Sequence, residues 1–415
     1  MYKLIRILFL LLVVSKSFAQ IGSTSPYSIF LLGEQHGNII SKYAAMGGGS
    51  TALNSNNTIN PYNPATYSFI NSNSFLLSTG IRHNILNLEN STESQLNQTT
   101  LFSHFIFAFP LTKKIGSSVG LLPYSDIGYD VNTFDQDFDA EMIYSGDGGL
   151  TKLYFGSSYM VNNNLSLGVN GSYLFGRLNK RKKIIFNDDL ILNSRSNASL
   201  NLKGFYYEIG LLYSKDLNEN KKYSFGLVFN NDTEISSTNT EIVETFEYSG
   251  QIENVKDTFV LTQNSGYTLF PRSVSSGFSY KNNNILFLVD YSTQNWSDFE
   301  ILGNKENYYN SQRFSSGIEY NLKQSEIDNF LKKLVYRFGF SYYETPLQIS
   351  NLMLNETSVT FGLGIPNYKS RTKYDISVIY TSRGDTENSL IKEQFLKIGL
   401  NISYDGIWFV KRKYD

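Results

Sequence analysis

The sequence contains no cysteine and only three histidines in 415 residues. The missing cysteine excludes disulfides, thiolate metal sites, cysteine nucleophiles and a lipidated N-terminal cysteine. The histidines, His36, His83 and His104, do not stand at a metal-binding spacing, and no serine lies in a nucleophile-elbow motif. We therefore expect no catalytic residue, no metal and no cofactor, as in a protein that is not an enzyme.

The sequence also lacks an excess of either basic or acidic residues, since 36 basic and 37 acidic residues leave a formal net charge of −1. Proteins that bind nucleic acid need a concentrated basic surface to neutralise phosphates. The composition therefore argues against nucleic acid as a partner.

Long hydrophobic runs are missing beyond the start of the chain. There, Lys3 and Arg6 precede a short apolar run, and the small residues Ser17 and Ala19 occupy the −3 and −1 positions of a signal-peptidase site. The run is too short to span a membrane as a helix. Residues 1–19 are therefore expected to be a cleaved signal peptide, and the mature chain is either exported or crosses a membrane as strands.

Aromatic residues are abundant at 15%, with 30 tyrosines and 30 phenylalanines, as is typical of pleated strands. Side chains alternate between apolar and polar through residues 152–176, where Leu153 and Phe155 face one way and Lys152 and Gly156 the other. The same period-two pattern predicts about fourteen strands, near residues 74–84, 99–109, 115–124, 150–160, 164–176, 200–213, 222–231, 272–281, 285–292, 312–320, 334–343, 355–363, 373–381 and 395–404.

The apolar face of these strands could pack on a protein core or on lipid. Several strands reach the ten residues that cross a bilayer, whereas strands of soluble sheets average five or six. Short connections alternate with long polar ones, the longest at 232–271, as in barrels with periplasmic turns and extracellular loops. The pattern favours an all-β fold, a transmembrane antiparallel β-barrel at 71–405 with a periplasmic tail at 406–415. An exported soluble β-protein is the alternative.

Residues 20–70 break the alternation and form a separate segment ahead of the barrel. Gly47, Gly48 and Gly49 supply backbone freedom. The pair Asn60-Pro61 and the triplet Asn63-Pro64-Ala65 both signal tight turns. The segment is either a disordered tail or a plug folded into the lumen. Its apolar content favours the plug, because disordered tails lack such residues.

Several stretches resemble one known family. "YAAMGGGSTAL" (43–53) and "NPYNPATYSF" (60–69) resemble the N-terminal hatch of FadL/TodX-type outer-membrane transport proteins, and "SPYSIFLLGE" (25–34) and "WFVKRKYD" (408–415) are similar to its branch with Ser-Pro-Tyr-Ser. The resemblance implies a fourteen-stranded barrel with an N-terminal hatch in the outer membrane of a Gram-negative bacterium.

The resemblance also implies passive uptake of small hydrophobic molecules, which would enter the lumen and leave sideways through a gap in the wall. Pro123 cannot donate a ladder hydrogen bond, and with Gly120 and Gly128 it could kink its strand and open such a gap. Alternatively, Pro123 lies at the extracellular end of the strand and terminates it.

The faces opposite the apolar ones carry many charges, which need partners when buried. We expect a network that lines the lumen and stabilises the hatch. Binding of a ligand carboxylate by Arg313 or Arg337 is a further hypothesis. The residues of this expected network are Lys152, Glu208, Asp290, Arg313, Glu319, Arg337, Lys373, Asp375 and Lys397.

Two connections carry their own patterns. The acidic stretch at 135–141 lacks the glycine and the closing glutamate of a calcium-binding EF-hand loop, so a solvated extracellular loop is expected. Residues 321–333 space apolar side chains as in a short periplasmic helix.

Two functions are compatible with these features. The first is transport of small hydrophobic molecules, with outer-membrane lipid and a hydrophobic ligand as partners. The second is a non-transporting barrel that serves as a subunit of an outer-membrane complex for protein secretion or barrel assembly, with machinery proteins as partners. Long extracellular loops, the polar lumen and the basic end at 411–413 suit both.

Overall fold

A computed structural model of the chain describes residues 24–188, 190–322, 330–349, 351–367, 370–386 and 390–407. The predicted signal peptide, residues 408–415 of the predicted tail and most of the predicted periplasmic helix lie outside these residues. Of that helix, Phe330–Lys333 form one 3-10 turn.

Fourteen antiparallel strands form the wall of the barrel. They are β2 (Ser74–Glu89), β3 (Ser94–Pro110), β4 (Ile115–Asp135), β5 (Ala140–Met160), β6 (Leu165–Phe186), β7 (Asn193–Asn218), β8 (Lys221–Asn230), β11 (Ser273–Asn282), β12 (Ile285–Gln294), β15 (Ser311–Asn321), β16 (Val335–Ile349), β17 (Leu352–Asn367), β18 (Thr372–Arg383) and β19 (Lys392–Ile407). Each strand pairs with the next in this order, and β19 pairs with β2, so the sheet closes.

Every predicted strand coincides with one strand of this wall, and the predicted transmembrane barrel is confirmed. Phe155 and Val169 on the predicted apolar face are 57% and 47% exposed, whereas Ser158 and Asn170 on the opposite face are buried. Apolar side chains that point out of a closed barrel in an unbroken band face lipid. The polar faces of the strands therefore line the lumen.

The remaining elements are short or lie beyond the membrane. They are strand β1 (Glu34–Gln35), the hairpin β9 (Thr233–Ser249) and β10 (Ile252–Phe270), β13 (Glu300–Ile301), β14 (Asn304–Lys305), the helix Ser41–Ala44, and 3-10 turns at Pro26–Ile29, Pro64–Phe69 and Trp296–Asp298. No helix in the described part of the chain is long and apolar enough to cross a membrane.

Two predicted loops are largely strand. The predicted loop 232–271 is the β9–β10 hairpin, whose β9 strand pairs with the outer part of β7. The predicted acidic loop 135–141 is reduced to the turn 136–139 between β4 and β5. Most side chains of β10 are exposed. Because both faces of such a strand meet water, the sequence has no reason to alternate, and the period-two signal is lost.

Candidate functional site: the hatch and the lumen

Residues 24–70 fold inside the barrel as the hatch, whose helix and 3-10 turn at Pro64–Phe69 contact strands of the wall. Tyr43, Met46 and Tyr67 are at most 1% exposed. Burial raises the pKa of Tyr62 to about 12, and it also raises the pKa of Tyr43 and of Tyr67. These phenols stay neutral and serve as packing and hydrogen-bonding groups.

The predicted glycine turn fits against the barrel wall. Gly47 and Gly48 have φ angles of 68° and 81°, in the left-handed region that favours glycine. The Gly47 amide donates to Thr360 Oγ1 at 3.0 Å. A Cβ on Gly49 would overlap the side chain of Leu288. This turn therefore brings the hatch backbone into direct contact with strands β12, β16 and β17 of the wall.

Asp290 holds the residues after this turn. Its Oδ2 accepts hydrogen bonds from the backbone amides of Ser50 at 2.6 Å and Thr51 at 2.7 Å. Asp290 is 9% exposed. The sequence predicts Asp290 in a network that stabilises the hatch, and in the structure its hatch partners are backbone donors.

The Asn-Pro-Ala motif anchors the second half of the hatch. Asn63 Oδ1 accepts from the Ala65 amide at 3.0 Å, which caps the 3-10 turn that begins at Pro64. Asn63 Nδ2 donates to the Thr51 carbonyl at 2.7 Å and ties the two halves of the hatch together. Pro64 and Ala65 lie against Gly168 of β6, where a Cβ would come within 2.4 Å of the Pro64 carbonyl carbon.

Three of the predicted lumen charges form a compact cluster near the short-turn end of the barrel. Arg337 donates to Glu319 at 2.8 Å and to Asp375 at 2.6 Å. Arg337 and Asp375 are 5% and 4% exposed. Lys152 and Glu208 form a separate pair at 3.3 Å, with the Lys152 ammonium 5.7 Å from the centre of the Tyr206 ring.

Arg313 and Lys397 have other surroundings. Arg313 stacks on the ring of Tyr343 at 4.1 Å, and no ion pair to it is present among the described residues. Lys397 Nζ lies 3.9 Å from Glu34 of the hatch. Lys373 lines the same cavity as Arg337.

A second buried ion cluster was not predicted. Arg383 contacts Glu393 at 2.7 Å, Glu34 at 3.6 Å and Glu356 at 3.9 Å. Ser25 of the hatch donates to Glu393 at 2.6 Å. The strand predicted at 373–381 stops just before Arg383, and the strand predicted at 395–404 starts just after Glu393. Extending the alternation of each strand by two residues would have placed both side chains on the inner face.

Glu34 connects the hatch to this cluster. Burial raises the pKa of its carboxyl group, but Arg383, Lys397 and two further cations outweigh burial and hold that pKa at about 2. Glu34 is therefore a carboxylate at any physiological pH, and its charge is neutralised only while the hatch lies in the lumen.

The seam between β3 and β4 is unusually short. Ladder pairs join Phe105–Pro110 to 116–121, whereas β4 pairs with β5 along nearly its whole length. Gly120 lies within the short ladder, and the β4–β5 register shifts between Pro123 and Ser125. The strand continues to Asp135, so Pro123 does not terminate it.

The hatch covers the β4 edge that β3 leaves unpaired. Strand β1 pairs Glu34 with Asp126 and Gln35 with Ser125. Farther along, Ser28 Oγ donates to the Gly128 carbonyl at 3.2 Å and accepts from the Gly128 amide at 3.1 Å. His36, also in the hatch, bridges Asp126 at 2.6 Å and Arg82 at 3.0 Å. The short seam is thus closed by hatch residues.

Among the described residues, cavities of about 300, 550 and 230 Å³ lie around the hatch. Charged side chains line all three: Arg82, Arg313 and Arg383 in the first, Lys42, Lys222 and Lys373 in the second, and Lys152 and Glu208 in the third. No cluster of three metal-ligating side chains occurs within the described ranges.

Comparisons with known proteins agree with this architecture. The family model described as BamG matches residues 1–415. A search of curated protein sequences finds no significant match. Among solved structures, the Ralstonia pickettii toluene transporter TbuX has a TM-score of 0.60 at 15% identity, over 91% of this chain and 100% of that one. A Pseudomonas aeruginosa FadL homologue has 0.61 at 11%, over 90% and 99%.

A third structure, the CymD monoaromatic hydrocarbon channel, has a TM-score of 0.60 at 15% identity, over 89% of this chain and 98% of that one. The predicted FadL/TodX-type architecture is therefore confirmed at the level of the fold.

Proposed function

The chain belongs to the BamG family, and from this membership and the charged lumen we propose that it is a non-transporting barrel subunit of an outer-membrane complex for protein secretion or barrel assembly. A transmembrane barrel with short turns at one end and extended strands at the other resides in an outer membrane. In this role the barrel is a scaffold that presents its two ends and its outer wall to partner proteins.

The observation that carries the proposal is the polarity of the lumen. Each of the three described cavities is lined in part by charged side chains, whereas sites for hydrophobic ligands are predominantly apolar. An apolar ligand would have to displace water from these charges without replacing its hydrogen bonds, which costs free energy. The lumen therefore suits a sealed structural core better than a path for hydrocarbons.

The fold alone does not oppose this proposal. The similar solved structures include channels for monoaromatic hydrocarbons, but identities of 11–15% establish shared architecture only. Function depends on the residues of the site rather than on the fold that holds them.

Transport of small hydrophobic molecules is the second candidate, and the short β3–β4 seam favours it. Withdrawal of β1 from Ser125 and Asp126 would expose an unpaired strand edge beside the bulge at Pro123. A ligand could then leave the lumen sideways into lipid. Gly120, Pro123 and Gly128 would border that opening.

A disulfide clamp distinguishes the two candidates. Gln35 and Ser125 are directly paired across β1 and β4, at a distance that suits a disulfide, and the chain has no cysteine to compete. We expect the double variant Gln35→Cys/Ser125→Cys, expressed in cells, to take up radiolabelled toluene and fatty acid no faster than cells without the protein, whether oxidised or reduced. Uptake that appears in the reduced form and stops on oxidation would instead establish transport through the seam.

A further inference from the structure

The largest of the three described cavities opens at the end where the short turns lie. It has a volume of about 550 Å³ and is bordered by Lys42 and residues 53–58 of the hatch. The wall contributes Lys222, Lys281 and Lys373, all within a few residues of a short turn. We call this cavity the periplasmic vestibule.

Positive charge dominates the vestibule. Five cations and two carboxylates line it, which leaves an excess of three positive charges among the described residues. Both carboxylates, Glu319 and Asp375, are bound by Arg337. The four lysines therefore face the cavity with no carboxylate within ion-pair distance in the described part of the chain.

The lysines are close enough to affect one another. Burial lowers the pKa of Lys42, and Arg337 and Lys281 lower it further, against the opposing effect of Glu319 and Asp375. Gathering like charges at a partly buried site is unfavourable unless an anion joins them. Such an arrangement persists when a bound anion offsets the repulsion.

One amide beside the vestibule has an unpartnered donor. Asn54 lines it, and its buried Nδ2 has no hydrogen-bond acceptor. A buried amide donor without a partner costs about 1–3 kcal/mol. The ammonium groups that line the cavity favour a ligand that offers several acceptor oxygens and negative charge.

We propose that the vestibule binds an acidic peptide segment of a periplasmic partner protein, an inference that rests on the proposed function. The ligand presents separate carboxylates rather than a single phosphate, because the bidentate guanidinium that phosphate favours is already engaged by Glu319 and Asp375. Four lysines spread around an opening of this size instead match carboxylates on successive residues.

The test uses the full-length barrel in detergent and a fluorescent hexaglutamate peptide, with hexaglutamine as the neutral peptide. We expect saturable binding of hexaglutamate that weakens with salt.

The variant Lys42→Gln/Lys373→Gln should weaken hexaglutamate binding about tenfold or more. The matched control Lys182→Gln/Lys256→Gln removes the same charge from extracellular strands and should leave binding unchanged. Unaltered heat-modifiable migration in gels confirms that both variants fold.

Three results would overturn the inference: no binding by the unmodified protein, equal weakening in both double variants, or pyrophosphate binding more tightly than the peptide. The last would assign the vestibule to a small phosphate ligand. Because binding is measured on the isolated barrel, it is separate from the proposed function. Recovery of a native complex without peptide binding would contradict this inference alone, and peptide binding by a barrel that forms no complex would contradict the proposed function alone.

Discussion

Replacing Gly168 by valine is expected to displace the hatch from the wall and to open a steady ionic conductance. The new Cβ would lie 2.4 Å from the Pro64 carbonyl carbon and 2.5 Å from the Ala65 amide nitrogen. These are backbone atoms that cannot rotate away, and overpacking of a well-packed site costs about 1–3 kcal/mol or more. The measurements are conductance in planar bilayers and protease cleavage within residues 43–69.

Gly171 provides the matched control, since it lies on the same strand and faces outward. The nearest atom to a Cβ there is the Phe155 carbonyl oxygen at 3.8 Å. Gly171→Val should remain closed and protease-resistant, as should the unmodified protein. Equal conductance from both valine variants would mean that the hatch does not depend on its contact with Gly168.

Removing Arg383 is expected to cause the largest loss of stability of any single change to a side chain. Arg383→Met leaves Glu393, which is 0% exposed, beside Glu34 and Glu356 without their shared cation. Breaking a buried ion pair from one side costs about 3–5 kcal/mol. Unfolding in urea, followed by tryptophan fluorescence in lipid vesicles, measures the free energy of unfolding, because Trp296, one of the two tryptophans, is buried.

An exposed ion pair serves as the comparison. Arg181 contacts Asp147 at 2.7 Å, but their side chains are 47% and 37% exposed, and such pairs contribute about 0–1 kcal/mol. Arg181→Met should therefore have little effect. The double variant Arg383→Met/Glu393→Gln should regain part of the loss, because the uncompensated charge is gone. Similar losses for Arg383→Met and Arg181→Met would argue against a buried charge cluster that fastens the hatch.

The barrel wall could be predicted from the sequence because each strand meets lipid on one face and the lumen on the other. That difference in surroundings imposes a period of two, as in β6, where Val169 points outward and Asn170 inward. In the β9–β10 hairpin, most side chains of β10 are exposed on both faces and most of β9 are only half-buried, so no clear period of two arises and the same criterion missed it.

The interior could be predicted only in part. The pattern places Arg337, Glu319 and Asp375 on inner faces of three strands, but their meeting depends on the register between neighbours. The partners of the hatch are less accessible still, because Ser25 and Glu393 are separated by 368 residues. No local pattern encodes such a contact.

The central claim is that this barrel is a sealed subunit of an outer-membrane complex. The most direct test is native mass spectrometry of the tagged protein, extracted from its own outer membrane in mild detergent. We predict a discrete mass above that of the single chain, with partner proteins in fixed stoichiometry and no hydrophobic ligand in the lumen. A lone barrel that carries fatty acid or another apolar molecule would contradict the account.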